Sequence, residues 1–313
     1  MTVWKLSLKT NHQPGYRPLE IFKKKKLIGV GWHDAYTRKH PRDLAEAKVL
    51  FAKRYNKWKS HARTLMEKVQ EGDFVWIHQV GTYYLCKITS QKMIFGKDID
   101  PDFALYDLGH AREVDYVVVP EKFVSGRIQR GVIAQRTIQK IKLNKTEKTY
   151  VSTLYEMLKI DPDYHPDLSD LDIYLSGLTE KDFFSILSPD DTEDVIAAYL
   201  QSMGWILVKS TCFRSKSNFE FEMLNKNGET GYIQIKTGRT RLAIEKYRKF
   251  SGEKIKIFLF TTIESGIQSE QGIEVMNSRT VYRWMQNNIW ALSLSLRYRL
   301  SMFYESKINE EIP

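Results

Sequence analysis

Two short segments near the C-terminal third hold side chains whose types and spacing suit phosphodiester chemistry. In Asn218 to Leu224, strand alternation turns Phe219, Phe221 and Met223 to one face and Glu220 and Glu222 to the other. In Gly231 to Thr237, Ile233 and Ile235 take one face while Tyr232, Gln234 and Lys236 take the opposite one. Asn225 to Glu229, with Asn227-Gly228 inside it, predicts a hairpin turn between them. Closing that hairpin brings Glu220 or Glu222 alongside Gln234 and Lys236. A carboxylate, an amide oxygen and an ammonium on one face are what a magnesium-dependent phosphodiesterase needs. Hard Mg²⁺ takes oxygen ligands, and the lysine can polarise or deprotonate the attacking water and steady the developing phosphorane charge. An ordinary solvated sheet face would show the same residues, with cross-strand Lys/Glu pairs worth only ~0.2 to 1 kcal/mol.

The elements around these segments decide between the two readings. Ser188-Pro189-Asp190-Asp191 predicts a helix start, with Ser as N-cap, Pro at the first helical position and an acid three residues after the cap. Val195, Ile196, Tyr199, Leu200 and Met203 follow as one apolar stripe that ends at Gly204. At about 100° per residue, Glu193 falls at the edge of that stripe and Asp194 on its far side, so Glu193 is the one that can reach the rim of a sheet. Trp205 to Lys209 and the fully apolar Ile255 to Thr262 read as further strands. Thr280 to Tyr304 reads as an amphipathic helix that covers the sheet or pairs with a second copy.

This helix, strand and hairpin pattern resembles the PD-(D/E)XK restriction-endonuclease-like nucleases, in the branch with Gln in the third motif. The resemblance covers roughly residues 188 to 262. It rests on Glu193 in the leading helix, Glu220 in NFEFEML and Gln234-Ile235-Lys236 in GYIQIKTG. It implies an αβββαβ core and a catalytic set of Glu193, Glu220, Gln234 and Lys236. It also implies a metal held by Glu220, Gln234 and the backbone carbonyl of Ile235, with Mg²⁺ as the cofactor and Mn²⁺ able to substitute. Glu stands where the family usually has Asp, and Glu222 competes with Glu220 for that role. The three-residue motif alone carries little, since Glu46-Ala47-Lys48 and Glu305-Ser306-Lys307 satisfy it without a preceding acidic strand.

The front of the chain has a different character. Residues 1 to 150 hold 29 Lys and Arg against 15 Asp and Glu, a balance of +14. Residues 151 to 190 hold 2 against 9, and residues 191 to 313 hold 17 against 14, which completes the chain's +10. So concentrated a basic excess points to a polyanionic partner, and the absence of a basic amphipathic helix favours nucleic acid over an acidic membrane surface. Leu27 to Trp32, Phe74 to Val80, Tyr83 to Thr89 and Tyr116 to Val119 read as strands, and Asp43 to Val69 as helix with a break near Asn56. Lys23 to Lys26 reads as a solvated loop. His12, His40, His78, His110 and His165 have no metal-ligand spacing, so no zinc site is expected.

Leu27-Ile28-Gly29-Val30-Gly31-Trp32 with His33-Asp34, the Gly72-Asp73 turn before Trp76, and Ser60-His61-Ala62-Arg63 resemble the EVE-like members of the PUA superfamily. That resemblance spans roughly residues 1 to 140 and implies a β-barrel that reads a base. Trp32, His33, Asp34, Ser60 and Trp76 are its candidate base-binding residues. An aromatic wall with a few polar groups can stack an extruded base and hydrogen-bond its edge. The same tryptophans would serve equally as core residues of a small barrel.

The expected organisation is a two-domain α+β and α/β protein. A PUA-like N-terminal β-barrel (1–150) is followed by an acidic linker (151–187), whose centre is DPDYHPDLSDLD, and by the nuclease core (188–313). With 42% hydrophobic and 27% charged residues, disordered and collagen-like classes are excluded. The two cysteines, Cys86 and Cys212, exclude a disulfide framework. No P-loop is present, and no apolar stretch approaches the ~18 residues of a membrane span. Together these imply a modification-dependent restriction endonuclease of a prokaryotic cytoplasm. Its partner would be double-stranded DNA with modified bases, and cutting both strands would call for a homodimer. A nucleic-acid-binding protein with a silent nuclease fold, or an RNA-directed reader, is the alternative.

Overall fold

A computed structural model of the chain describes residues 1–8, 18–56, 58–133, 137–169, 171–212, 218–237, 242–262 and 266–311. His12 and Gly238, both named above, lie outside them. The chain divides into two compact units, one of Met1–Val124 and Ile128–His165 with the terminal Asn309–Pro313, the other of Ser125–Arg127 and Pro166–Ile308. Among the described residues no helix is long and apolar enough to cross a membrane.

The first unit is a curled half-barrel sheet with helices. In chain order it contains β1 (Val3–Leu6), α1 (Pro18–Lys25), β2 (Leu27–Val30), α2 (Leu44–Tyr55), α3 (Ser60–Arg63), β3 (Phe74–Gln79), β4 (Thr82–Ile88), β5 (Ile94–Phe95), β6 (His110–Val119), α4 (Gly126–Ile133), β7 (Ile138–Lys140) and α5 (Lys145–Ile160). The strand order is β2-β6-β4-β3-β1-β7, with β5 also on β6. Pairing is antiparallel except between β1 and β3. The expected strands and the helix break are present: α2 stops at Tyr55, where Asn56 turns left-handed with φ 64°. Lys23 to Lys26 lies in and just after α1 rather than in a loop. Lys25 pairs with Asp100, Lys26 pairs with Asp115, and Lys23 stands over the Tyr84 ring, so most of this run serves the fold.

One face of β3 carries Val75 and Ile77 into the main core with Phe51, Met66 and Val69. The other carries Phe74, whose ring packs 5.4 Å from Tyr155 of α5. α5 starts in a capping box between Asn144 and Glu147 and buries Tyr150, Val151, Leu154, Tyr155 and Leu158. It therefore belongs to the first unit, although ten of its 16 residues, from Val151 on, fall within the stretch expected to be linker.

The second unit contains α6 (Leu171–Ser176), α7 (Glu180–Ile186), α8 (Pro189–Ser202), β8 (Trp205–Leu207), β9 (Phe221–Asn225), β10 (Thr230–Lys236), β11 (Ile255–Thr261), β12 (Ile273–Met276), α9 (Ser278–Gln286) and α10 (Leu294–Glu311). Its sheet runs β12-β11-β10-β9-β8. β8, β9 and β10 form an antiparallel meander, and β10, β11 and β12 are parallel. Four features differ from expectation. Phe219, just before β9 begins at Phe221, leaves the face of Phe221 and Met223 and stacks 4.9 Å from Tyr232 on the opposite one. Helices α6 and α7 replace the second half of the linker. Between β10 and β11 the described residues form single 3₁₀ turns at Ile244–Lys246 and Arg248–Phe250, where an αβββαβ core has a helix. The C-terminal amphipathic stretch is two helices broken at Asn287 and Asn288, not one.

Each face of this sheet is covered. Phe221, Met223, Ile233, Ile235, Phe258 and Phe260 are buried on one. There Phe184 of α7 lies 5.3 Å from Phe260. On the other, Leu242, Ile244 and Tyr247 of the crossover cluster with Phe219, Ile257, Leu259 and Ile273, and Tyr232 packs against them.

Candidate functional sites in the two units

α8 begins as its sequence dictates. Ser188 accepts from the Asp191 amide, and Asp191 reaches back to the Ser188 amide at 2.9 Å. Gly204, at φ 89°, reverses the chain into β8. The N-terminal end of α8 therefore lies near the end of β8, at the edge where β9 begins and β10 ends. Glu193 is half-buried and Asp194 exposed, in line with their places on the helix. The Cys212 thiol, just after β8, is raised first by burial and then by the carboxylates of Glu193 and Asp194. Both helix acids therefore lie near the β8–β9 connection, and Glu193 differs from Asp194 in being the half-buried one. Thr211 in the same connection accepts the Glu222 amide at 2.9 Å.

The hairpin register then decides which acid meets Gln234. Tyr232 stands opposite Glu222, whereas the Glu220 amide bonds the Ile233 carbonyl at 2.8 Å. Gln234 is buried, and its Nε2 donates to Glu220 Oε1 at 2.6 Å and to the Ile235 carbonyl at 3.3 Å. Glu220, and not Glu222, is thus the carboxylate joined to the Gln-x-Lys segment. Lys236 follows on the same face one strand repeat away, ~6.5 Å along β10. Among the described residues it has no ion-pair partner. Tyr247 overlooks the acid from the crossover, its hydroxyl pushed up by burial and then by the Glu220 charge.

The fit of this set to a divalent cation can be judged from its donors. A carboxylate oxygen and a main-chain carbonyl converge on the Gln234 amide nitrogen. The same amide turned about its last bond presents oxygen instead, giving three hard donors around one point. Among the described residues no group of three or more His, Cys, Asp and Glu could hold a metal. Such a site would therefore rest on one carboxylate, one amide and one carbonyl, with water and phosphate completing the shell, as Mg²⁺ commonly accepts. Exchanging the two helix acids separates their roles. On the nuclease expectation, Glu193→Gln should slow Mg²⁺-dependent cleavage about tenfold or more, and Asp194→Asn should leave it near wild type. Equal rates in a plasmid-nicking time course would remove Glu193 from the site.

In the first unit the structure separates the candidate base-binding residues. Trp32 is half-buried and left-handed at φ 66°, an outlier for so bulky a side chain. Its turn is fixed from several sides. The Gly109 amide bonds the carbonyls of Val30 and Gly31, and His110 Nδ1 lies 3.3 Å from the Gly31 carbonyl. A Cβ on Gly109 would stand 2.8 Å from the Trp32 carbonyl oxygen, and one on Gly31 would stand 2.8 Å from Asp107 Oδ2. The Trp32 ring lies 5.8 Å from Phe51 and 5.9 Å from His61. Phe51 in turn lies 4.9 Å from Tyr55 and 5.0 Å from Trp58. Asp34 accepts from the Tyr55 hydroxyl and pairs with Arg54, while His33 turns to Asp107 at 2.8 Å. Ser60 is exposed at the start of α3, and its neighbour His61 is the residue beside Trp32.

Trp76 is not brought to this cluster. It is fully buried and, by strand alternation, shares the face of Phe74 toward α5 rather than that of Val75 and Ile77. Tyr55, Trp58 and His61 are the additions. Their signal in the sequence was the density of aromatic residues either side of the Asn56 break.

His110, under this cluster, accepts from Tyr36 at 2.7 Å and is held neutral by burial, its value brought down to about 4. A folded value below the ordinary 6.5 means that the unfolded chain binds the proton first. The stabilisation is complete above about pH 6.5 and drains as pH falls toward 4, by about 3 kcal/mol in all. Thermal melts of the protein across that range should show the loss, and His110→Asn should flatten it. An unchanged slope in the variant would assign the pH dependence elsewhere.

The chain matches no protein-family model, no curated protein and no solved structure. Its function is therefore argued from its own residues.

Proposed function

We propose that this chain is a Mg²⁺-dependent endodeoxyribonuclease that restricts foreign DNA carrying modified bases. In this reading the first unit is an EVE/PUA-like base reader and the second a PD-(D/E)XK-like nuclease core, working in a prokaryotic cytoplasm as a homodimer on double-stranded DNA. The observation that carries the nuclease half is the bond of Gln234 to both Glu220 and the Ile235 carbonyl, beside Lys236 on the same strand. Glu220, Gln234 and the Ile235 carbonyl would hold the metal. When bound, the metal supplies Lewis-acid charge at a phosphate oxygen. The Lys236 ammonium donates hydrogen bonds that orient the attacking water and the phosphate oxygens and steadies the charge that builds on phosphorus, while the water's proton passes to bulk solvent. Glu193 holds that water from the helix side. In the reader half, the support is the locked, left-handed turn that presents Trp32, since strain kept at one bulky residue points to use of its side chain.

A catalytically silent nuclease fold on a DNA-binding protein is the second reading, favoured by there being, among the described residues, a single carboxylate in contact with Gln234. Matched plasmids carrying unmodified, methylated or hydroxymethylated cytosine, incubated with Mg²⁺ or EDTA, decide between them. Nicking confined to modified plasmids in Mg²⁺ is the expected result. Retention of DNA with no nicks in any lane would establish the silent form.

A further inference from the structure

We propose that the Trp58 indole N–H selects which class of base the first unit accepts. It admits bases with an unprotonated ring nitrogen on the Watson–Crick edge, cytosine and adenine, and refuses thymine, uracil and guanine. The inference rests on the base-reading proposal and names the substrate class of that same site.

Trp58 lies 5.0 Å from Phe51 and 5.2 Å from His110, ring to ring, and its Nε1 is shielded from solvent and has no hydrogen-bond partner among the described residues. An indole N–H can only donate, and a buried donor left unpaired is costly enough to require an explanation. Trp76 Nε1 is unpartnered too, but that ring is fully buried in a sheet face under a helix. The setting of Trp58 is different. It is half-buried, as are Trp32, Tyr55 and His61, and the fully buried Phe51 packs against the Trp32, Tyr55 and Trp58 rings. The charges nearby are engaged: Asp34 by Tyr55 and Arg54, His33 by Asp107. Burial lowers His61 and keeps it neutral. The rings grouped around Phe51 are therefore aromatic and uncharged, and Trp58 adds an unused donor among them.

A base swung out of a duplex enters with its sugar last, so its Watson–Crick edge arrives deepest. There cytosine offers N3 and adenine N1, both acceptors. Thymine, uracil and guanine carry a hydrogen at the equivalent ring nitrogen, which would face the indole hydrogen. An edge reader is also required on chemical grounds. Thymine bears the same 5-methyl group as 5-methylcytosine and is abundant in any DNA, so an apolar wall that sensed only the methyl would be filled by thymine.

The test compares bases that differ only on that edge. Duplexes holding one 5-hydroxymethylcytosine or one 5-hydroxymethyluracil carry the same 5-substituent, and a third duplex holds 6-methyladenine. Equilibrium binding of the full chain in EDTA should favour 5-hydroxymethylcytosine or 6-methyladenine over 5-hydroxymethyluracil by about tenfold or more. Trp58→Phe keeps an aromatic wall and removes the donor. It should bring the cytosine and uracil duplexes within about twofold while retaining a wild-type thermal melt. A 3-deaza-cytosine duplex, lacking the ring nitrogen, should reproduce the loss on the wild-type protein without any substitution. Wild-type discrimination that persists in Trp58→Phe, or that survives the 3-deaza replacement, overturns the role of Trp58 and leaves base reading standing. A wild-type protein that binds every modified duplex like its unmodified control overturns both.

Discussion

Lys236→Ala should yield a protein that holds DNA and does not cut it. The substitution removes the one charged group on β10 that follows Gln234 on the same face, and with it the stabilisation of charge on the transferring phosphate. On the proposed reading, a loss of about 10²- to 10⁴-fold in single-turnover cleavage is expected, with little change in affinity, because the chain's basic excess is in residues 1 to 150. Glu220→Ala should do the same for a different reason, by removing the one carboxylate that, among the described residues, is bonded to Gln234. Glu222→Ala is the internal control, since Glu222 stands opposite Tyr232. Should Glu222→Ala abolish cutting while Glu220→Ala spares it, the acid has been assigned to the wrong turn of the hairpin.

The largest effect on stability is expected at Arg299. Its guanidinium grips Asp191 with two hydrogen bonds, of 2.9 and 2.5 Å, and both side chains are almost wholly buried. Burial works against the Asp191 charge, yet the bonds and charge of Arg299, with help from Ser188, outweigh it and hold the carboxyl below its ordinary range. Arg299→Met strands that carboxylate and should cost about 3–5 kcal/mol, or roughly 10–20 °C in the melting of the second unit. Because the folded value is depressed, the pair's contribution is fully present above the ordinary carboxylate range near pH 4. It is lost as pH falls through the folded value. Asp191→Asn with Arg299→Met should recover part of the loss, since no net charge is then left buried. A single variant that melts with the wild type would show that the pair carries no stability.

Local features were the legible ones. The Ser188 cap, the Gly204 stop, the Asn225–Glu229 turn and the Asn56 break each depend on neighbours a few residues away, and all are found where the sequence puts them. The preference for Glu220 over Glu222 could be raised from alternation but needed the register to be placed. What the sequence could not show was long in reach. β1 pairs in parallel with β3 across some seventy residues, and Arg299 meets Asp191 across 108. Alternation separates Trp76 from Val75 without saying which face is the barrel's interior, so Trp76 was grouped with Trp32. Trp58 was passed over because a tryptophan just after a helix break has no periodicity to mark it. Acidic composition suggested a linker where α5, α6 and α7 bury Leu154, Leu171 and Phe183.

Under the base-reading proposal, the left-handed turn at Trp32 sets stability and recognition against each other. Any L-residue at φ 66° carries a conformational penalty of about 1–2 kcal/mol that glycine escapes. The turn is held through the Gly31 carbonyl, the Gly109 amide and Asp107, none of which requires an indole. Selection for thermal robustness would therefore pull position 32 toward glycine, and selection for an aromatic wall would hold it at tryptophan. A search for hardier variants of this protein should monitor base preference as closely as melting temperature, because here the easiest gain in one is a route to losing the other.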